Sequence, residues 1–429
     1  MIKIAKELLK DMSDRGLQAY IVGGAVRDLK EGVEPSDVDI VVEAPSPDEL
    51  PWPSTPVHTS SGEDVRILEY KGESFETTFS NNILVNVKSR DFTINSLLLT
   101  SDDTIKDVTG GLRDLSSRQL RCNGVPVERF KEDPLRILRG IRLAAKMSLD
   151  VEHPTEMAMI RHGAILHDMP PERIQRELYK MSATGSLLGE CITSMLNYGV
   201  LGYILPEILR MVPFPHSNER HPEGGVFLHT LEALEQSESR SSIGNLAVAL
   251  HDCGKPYSFQ IRGGHITYNG HESKAVEVLR NFGERLKISK DHERKLAFCA
   301  SNHTRVMSLQ KVSKMIPLVN SDHWKDLKNV VIADQMARAG VTLAERRSMK
   351  TAVGSCLDAI EHKANQWIET KGQENWPISG HRIMKVGGIE EGTLVGDVKE
   401  EVNSWVVDQN IRDEEQIDKM IRQSVRRLS

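Results

Sequence analysis

The chain's 429 residues carry 55 Lys and Arg against 61 Asp and Glu, a formal net charge of −6, which gives no global signal for nucleic-acid binding, although a local basic stripe would suffice for it. That length exceeds one hydrophobic core and predicts several domains, while the lack of any run of about twenty apolar residues excludes a membrane helix. The five cysteines, Cys122, Cys191, Cys253, Cys299 and Cys356, form no CxxC pair, which argues against a disulfide framework or zinc knuckle and fits a reducing cytoplasm.

In chain order, residues 1–9 alternate lysine with aliphatic side chains in a helical pattern and lack the apolar core expected of a signal peptide. Residues 19–22 read as a short apolar strand. Gly23 and Gly24 then let the backbone turn tightly against a ligand, and residues 25–30 read as a helix start whose free N–H groups attract phosphate. Residues 37–42 read as the next strand. Asp37 and Asp39, two apart on it, face the same side and can bridge magnesium ions that carry a triphosphate and activate an attacking hydroxyl. Gly23, Gly24, Arg27, Asp28, Asp37 and Asp39, in this order and spacing, point to nucleotidyl transfer.

Further strands are expected over 65–70, 74–78 and 105–107, which gives a small mixed sheet backed by helices up to about residue 115. The proline-, serine- and acid-rich stretch 44–56 reads as a loop or mobile flap. Arg90 suits a phosphate contact, and Asp91 and Asn95 suit a sugar contact or a brace for the sheet.

Beyond the first domain the pattern is helical. Pro134 suits the first position of a helix and Asp133 its cap, so a helix is expected to begin at Asp133. Arg136 lies three residues from Asp133 and four from Glu132, which sets an acceptor and a donor fork on one face. Such a pair can imitate the edge of a base and select a nucleotide without a template. A capped helix with an ordinary ion pair fits the same residues; the stripe of Arg136, Arg139 and Arg142 favours phosphate and base contact.

Downstream, His229, His251, Asp252 and Asp334, with His271 and His303 between them, fall on or beside helices expected over 226–235, 243–251 and 330–339. Imidazoles and carboxylates in this mixture suit a transition metal that activates water for phosphoester hydrolysis. Stretches 211–225 and 261–270 read as loops, and 372–396 as a break before a last helical segment ending in Arg422, Arg426 and Arg427.

On these motifs the chain resembles the tRNA nucleotidyltransferases, the CCA-adding enzymes of the bacterial class within the polymerase-beta superfamily. The family's first motif is matched by Gly23 to Asp28 with Asp37 and Asp39, and its second by Arg90, Asp91, Phe92, Thr93, Ile94 and Asn95. Asp107 to Leu115 match the next segment, and Glu132, Asp133, Pro134, Leu135 and Arg136 match the amino-acid template for CTP and ATP. Glu172, Arg173, Ile174 and Glu177 resemble the helix that supports that template. His221, Pro222 and Glu223 to His229, His251 to Lys255, Gly270 to Glu272, and Ala333 with Asp334 resemble the HD phosphohydrolase domain fused to some members. Residues 378–396 resemble the terminal segment of longer members, which meets tRNA.

The resemblance implies an α+β fold: a small mixed-sheet nucleotidyltransferase head over 1–115, an all-α neck for nucleotide recognition over 116–185, an HD-like helical body over 186–360 and a helical tail over 361–429. It implies template-independent addition of C, C and A to the 3′ end of tRNA from CTP and ATP, with release of pyrophosphate. Asp37 and Asp39 would hold two Mg²⁺ ions, Gly24, Arg27 and Arg90 the triphosphate, and Asp133 and Arg136 would read the base with support from Arg139. A third acidic group stays open between Glu69 and Glu76. The tRNA acceptor arm would lie against the helical body and tail, with basic residues over 305–328, 338–350 and 422–427 as the expected stripe. A poly(A) polymerase of the same superfamily shares every catalytic element named. An HD-type metal-dependent phosphohydrolase with an RNA-binding head is the rival of another class, against which the intact Asp37 and Asp39 pair argues. No protein partner or membrane contact is indicated.

Overall fold

The computed structural model describes residues 1–44, 50–57, 64–216, 224–338, 342–371, 378–411 and 413–429. His221, Pro222 and Glu223, part of the stretch 44–56 and residues 372–377 lie outside them. The chain divides into two compact units, Met1–Glu177 with Glu190–Ile204, and Leu178–Gly189 with Leu205–Ser429.

The first unit carries a seven-stranded sheet in the order β3-β4-β5-β2-β1-β6-β7. Its strands are β1 (Gln18–Val22), β2 (Asp39–Glu43), β3 (Ser54–Val57), β4 (Asp64–Tyr70), β5 (Glu73–Ser80), β6 (Leu97–Leu99) and β7 (Ile105–Asp107). Only β2 and β5 run parallel; the other pairs are antiparallel. On one face Ile21, Ile40 and Val42 bury against α1 (Ile2–Ser13) and α2 (Gly24–Lys30). Ala5, Leu8, Leu9 and Met12 supply the buried stripe of α1 at helical spacing. On the other face Val22, Val41 and Leu98 pack against Ile83 and Val87 of α3 (Ile83–Ser89).

Two strands escape the pattern of the sequence. Leu97, Leu98 and Leu99 of β6 are all buried, so the alternation that marks a half-exposed strand is missing. β3 falls in the stretch read as a loop because it contains Pro56. It is tolerated there because β3 is the edge of the sheet, where a missing N–H costs little. The second strand also begins at Asp39 rather than at Asp37.

After β7 the Asp107 carboxylate accepts the N–H groups of Thr109, Gly110, Gly111 and Leu112 at 2.8–3.1 Å. It thereby satisfies donors that would be orphaned at the start of α4 (Gly111–Ser116). The approach is close enough that a Cβ on Gly111 would fall 2.2 Å from the Thr93 carbonyl oxygen. Next come α5 (Pro126–Glu132) and α6 (Leu135–Met147). The helix expected from Asp133 thus begins two residues later. Asp133 closes α5, and its carboxylate accepts the Leu135 N–H at 3.2 Å.

In the second unit the helices Val226–Glu235, Ser242–Leu250, His271–Arg285, Lys290–Asn302 and Trp324–Arg338 pack together. Their core includes Leu246, Val248, Leu279, Phe282, Leu296 and Val331. The last three helices, Gly380–Gly387, Thr393–Asp408 and Glu414–Leu428, enclose their own apolar cluster around Ile383, Val398, Val402 and Ile421. The expectation of pure helix beyond the head needs a small correction. Gln119–Leu120 pairs with Asp150–Val151, and Gln260–Arg262 with His265–Thr267, the latter in a stretch read as a loop. Among the described residues no helix is long and apolar enough to cross a membrane.

Candidate active site and a second candidate metal centre

The head site is built where β1 ends. Gly23 takes φ +79°, which a side chain would strain, and a Cβ there would lie 3.2 Å from Arg90 Nη1 and 3.4 Å from Asp39 Oδ2. The glycine therefore brings the backbone against a guanidinium and a carboxylate at once. Asp39 opens β2 and pairs in register with Glu76 on the parallel neighbour β5. Residues opposed in a sheet share a face, so Glu76 stands beside Asp39. Glu69, the other acid left open by the sequence, sits near the β4–β5 turn and accepts the Ser74 hydroxyl at 2.7 Å. Asp37 precedes the strand, exposed, and accepts the Ser36 hydroxyl at 3.1 Å. Burial raises the pKa of Asp39 to about 6; Arg90 opposes the rise, and the charges of Glu76 and Asp37 add to it. A carboxylate penalised by burial and by two like charges is one that a bound cation would relieve, so these residues fit divalent metal binding by oxygen ligands.

A chain of polar contacts runs from this turn to α6. Arg27 is buried and donates to Asp28 at 2.7 and 2.9 Å and to Asn95 Oδ1 at 2.6 Å. Asn95 donates to Asp91 at 3.0 Å, and Asp91 pairs with Arg139 at 2.8 Å. Burial works against the Asp91 charge, but Arg139, Asn95 and the Phe92 N–H hold its pKa below the usual carboxylate range. On α6, Arg136 pairs with Glu132 at 3.2 Å as its spacing predicts, and also donates to the carbonyls of Arg129 and Ser89. The Asp133 carboxylate instead takes Arg173 at 3.0 Å. Arg142 sends Nε and Nη2 to the buried Glu177 at 2.9 and 2.8 Å.

The second unit brings His229, His251, Asp252 and Asp334 into one buried cluster, with His216, His271 and His303 around it. His229 Nε2 lies 3.0 Å from Asp334 Oδ1, and His251 Nε2 lies 3.2 Å from Asp252 Oδ2 and 3.8 Å from Asp334 Oδ1. The Nδ1 atoms of His251, His271 and His303 are held by the carbonyls of Val248, Tyr268 and Ala300 at 2.7–2.9 Å. That leaves each Nε2 for the centre, the arrangement by which metal-binding imidazoles are oriented. Burial acts to raise the pKa values of both aspartates. His251 and Lys255 hold Asp252 well below its ordinary value, and His229 and Arg338 do the same for Asp334. Lys255 reaches Asp252 Oδ2 at 2.5 Å and His216 Nε2 at 3.4 Å. His216 escaped the sequence reading because it sits in an irregular stretch with no periodicity to mark it.

Several members of the expected basic stripe are engaged within the chain. Arg338 binds Asp334, Arg346 pairs with Glu232, Lys350 with Glu238, Lys328 with Glu361, and Arg427 with Glu401. Arg347, Arg422 and Arg426 are exposed.

Residues 58–121 match a family described as the poly A polymerase head domain, and residues 148–211 one described as the probable RNA and SrmB-binding site of polymerase A. The chain is 34% identical over 220 residues to the CCA-adding enzyme of Levilactobacillus brevis, covering 47% of this chain and 55% of that one. It is 31% identical over 300 residues to the multifunctional CCA protein of Azoarcus sp., covering 64% and 71%. The first match thus spans little more than half the relative's length. In fold the chain resembles the crystal structure of the Bacillus stearothermophilus CCA-adding enzyme in complex with CTP, with a TM-score of 0.68 at 19% identity over 99% of this chain and 98% of that one. The chain belongs to the family of CCA-adding tRNA nucleotidyltransferases.

Proposed function

We propose that this protein adds C, C and A to the 3′ end of tRNA from CTP and ATP, without a template and with release of pyrophosphate. The observation that carries the reading is the convergence of Asp39, Glu76 and Arg90 at the Gly23 turn, with Asp37 just outside it. Asp37, Asp39 and Glu76 would hold Mg²⁺, which supplies a lowered pKa for the terminal ribose hydroxyl and neutralises charge on the departing pyrophosphate. Gly23 keeps the approach to Arg90 clear of a side chain, so the triphosphate can lie along the turn. Arg27, committed to Asp28 and Asn95, braces that turn from beneath. Asp91 passes the brace to Arg139 on α6.

Base choice falls to Glu132, Asp133 and Arg136. Arg173 aims the Asp133 acceptor, while Glu132 and two backbone carbonyls fix the Arg136 fork. Arg142, clamped by Glu177, holds α6 in place rather than reading the base. The acceptor arm is gripped through its A-form shape and phosphates, with exposed arginines such as Arg347, Arg422 and Arg426 available for the contact. The five unpaired cysteines support a reducing, cytoplasmic setting. Labelled CTP offered to tRNA lacking its 3′ end tests the reading. Asp37→Ala and Asp39→Ala should each abolish incorporation and leave tRNA binding nearly intact, whereas retention of more than a few per cent of activity would remove these residues from the mechanism.

A second activity is favoured by the histidine cluster. His229, His251, Asp252 and Asp334 offer two imidazoles and two carboxylates at separations suited to one transition metal, whose chemistry is to activate water for phosphoester hydrolysis. His251→Ala with Asp252→Ala should remove any metal-dependent phosphohydrolase activity and spare nucleotide addition. Collapse of addition in a folded variant would contradict two independent sites.

A further inference from the structure

The Arg136 fork is held from α5 by a residue outside the expected site, Arg129, which acts on it twice. The Arg129 carbonyl, which already accepts the Asp133 N–H at 3.2 Å, also accepts Arg136 Nη1 at 3.3 Å. The Arg129 side chain holds Glu132 Oε2 at 3.0 Å, the same oxygen that meets Arg136 Nη1 at 3.2 Å. Two guanidinium groups therefore flank one carboxylate oxygen, and Glu132, itself 48% exposed, is steadied from a second side. An ordinary pair one turn apart on a helix is solvated and worth little. Arg129 is instead only 23% exposed, and its Nε is buried without a hydrogen bond, a cost that a solvated side chain does not carry.

The contacts also show what the fork has left to offer. Arg136 gives Nη1 to Glu132 and to the Arg129 carbonyl, and one hydrogen of Nη2 to the Ser89 carbonyl at 2.8 Å. Nε and the second hydrogen of Nη2 remain, enough for two acceptors on a base. Cytosine has two, O2 and N3, beside its N4 amino donor, whereas adenine has N1 alone beside its N6 amino donor. Two bonds from one planar fork require its plane to be fixed, and one bond tolerates a tilt. Resting on the reading of this site as one that adds C and A, we propose that Arg129 is a positioning residue for base choice: by steadying Glu132 it fixes the plane of the Arg136 guanidinium, and C addition depends on it more than A addition does.

The test compares single-turnover addition of C to tRNA lacking its last three nucleotides with addition of A to tRNA lacking only the last. Arg129→Met keeps the aliphatic stem and the backbone carbonyl but not the hold on Glu132. It should lower the efficiency with CTP by roughly three- to fivefold relative to ATP, the scale of a partly exposed ion pair, and raise misincorporation of U in the same proportion. Arg129→Lys, which returns a cation to Glu132, should recover most of the lost ratio. In a Glu132→Ala background Arg129→Met should change the ratio no further, because its only route to the fork is gone. An unchanged ratio, an equal loss with both nucleotides, or a full second loss in the double variant would overturn the assignment. Circular dichroism checks each fold, and if Arg129→Met does not fold, Arg129→Gln replaces it with the same outcomes. Failure of the unaltered protein to add either nucleotide would instead overturn the proposed function itself.

Discussion

Asp39 and Glu76 face each other across the one parallel strand pair of the sheet, so the third acid of the head site comes from a strand that follows Asp39 by more than thirty residues. Their shared face is what burial and charge register together in the raised Asp39 pKa. Glu76→Gln should therefore cut nucleotide transfer at saturating Mg²⁺ by at least about 10- to 100-fold, the cost of losing a group that merely orients a metal ligand. Glu69→Gln, which removes a charge but keeps an acceptor for the Ser74 hydroxyl, should leave the rate within about twofold. Steady-state CTP incorporation by the two variants decides between them.

Base choice should depend on the residue that aims Asp133. Because Arg173 holds the Asp133 carboxylate at 3.0 Å, Arg173→Ala should relax the preference for CTP and ATP over UTP and GTP in the same direction as Asp133→Ala. A good base contact is worth about 1–3 kcal/mol, so misincorporation should rise by roughly 5- to 150-fold, with a smaller change in triphosphate affinity. Single-turnover rates with each of the four triphosphates measure this. An unchanged preference in both variants would mark the pair as structural.

The Arg142 and Glu177 contact makes a stability prediction. Glu177 is 3% exposed and receives two guanidinium bonds at 2.8–2.9 Å. Glu177→Ala leaves a half-buried arginine without its partner, so unfolding should cost about 3 kcal/mol less, read as a lowered urea midpoint. A shift below about 0.5 kcal/mol would make the contact an ordinary surface pair.

How far the sequence carried depends on whether neighbours in space were neighbours in the chain. Gly23 to Asp28 and Asp39 are legible because one turn and one strand contain them, and the helix Val226–Glu235 follows from its own periodicity. Glu76 could not be chosen over Glu69 without the register between β2 and β5. Nor could the Asp133 partner be found, since Arg173 lies 40 residues away. Leu97–Leu99 carries no alternation because both its faces are covered. The basic clusters misled in part, because Arg338 and Arg346 have the composition of a solvated stripe yet spend their charges on Asp334 and Glu232.

That division sharpens the expectation for tRNA binding. Arg347 is exposed while its neighbour Arg346 is paired with Glu232. Arg347→Glu should weaken tRNA binding and flatten its logarithmic salt dependence by roughly 0.7 to 0.9, the share of one phosphate that the arginine would otherwise neutralise. Arg346→Glu should act first on thermal stability, because it sets two acids side by side. Filter binding across a salt series, with a melting curve for each variant, separates the two effects. An Arg347→Glu slope equal to that of the unaltered protein would move the phosphate contact elsewhere.

What the head makes is read most directly from its product. Given tRNA lacking its last three nucleotides, a mixture of all four triphosphates and Mg²⁺, the unaltered protein should extend the chain by C, C and A and stop there, as read by sequencing the product ends. A long run of adenosines, or no extension at all, would contradict the account.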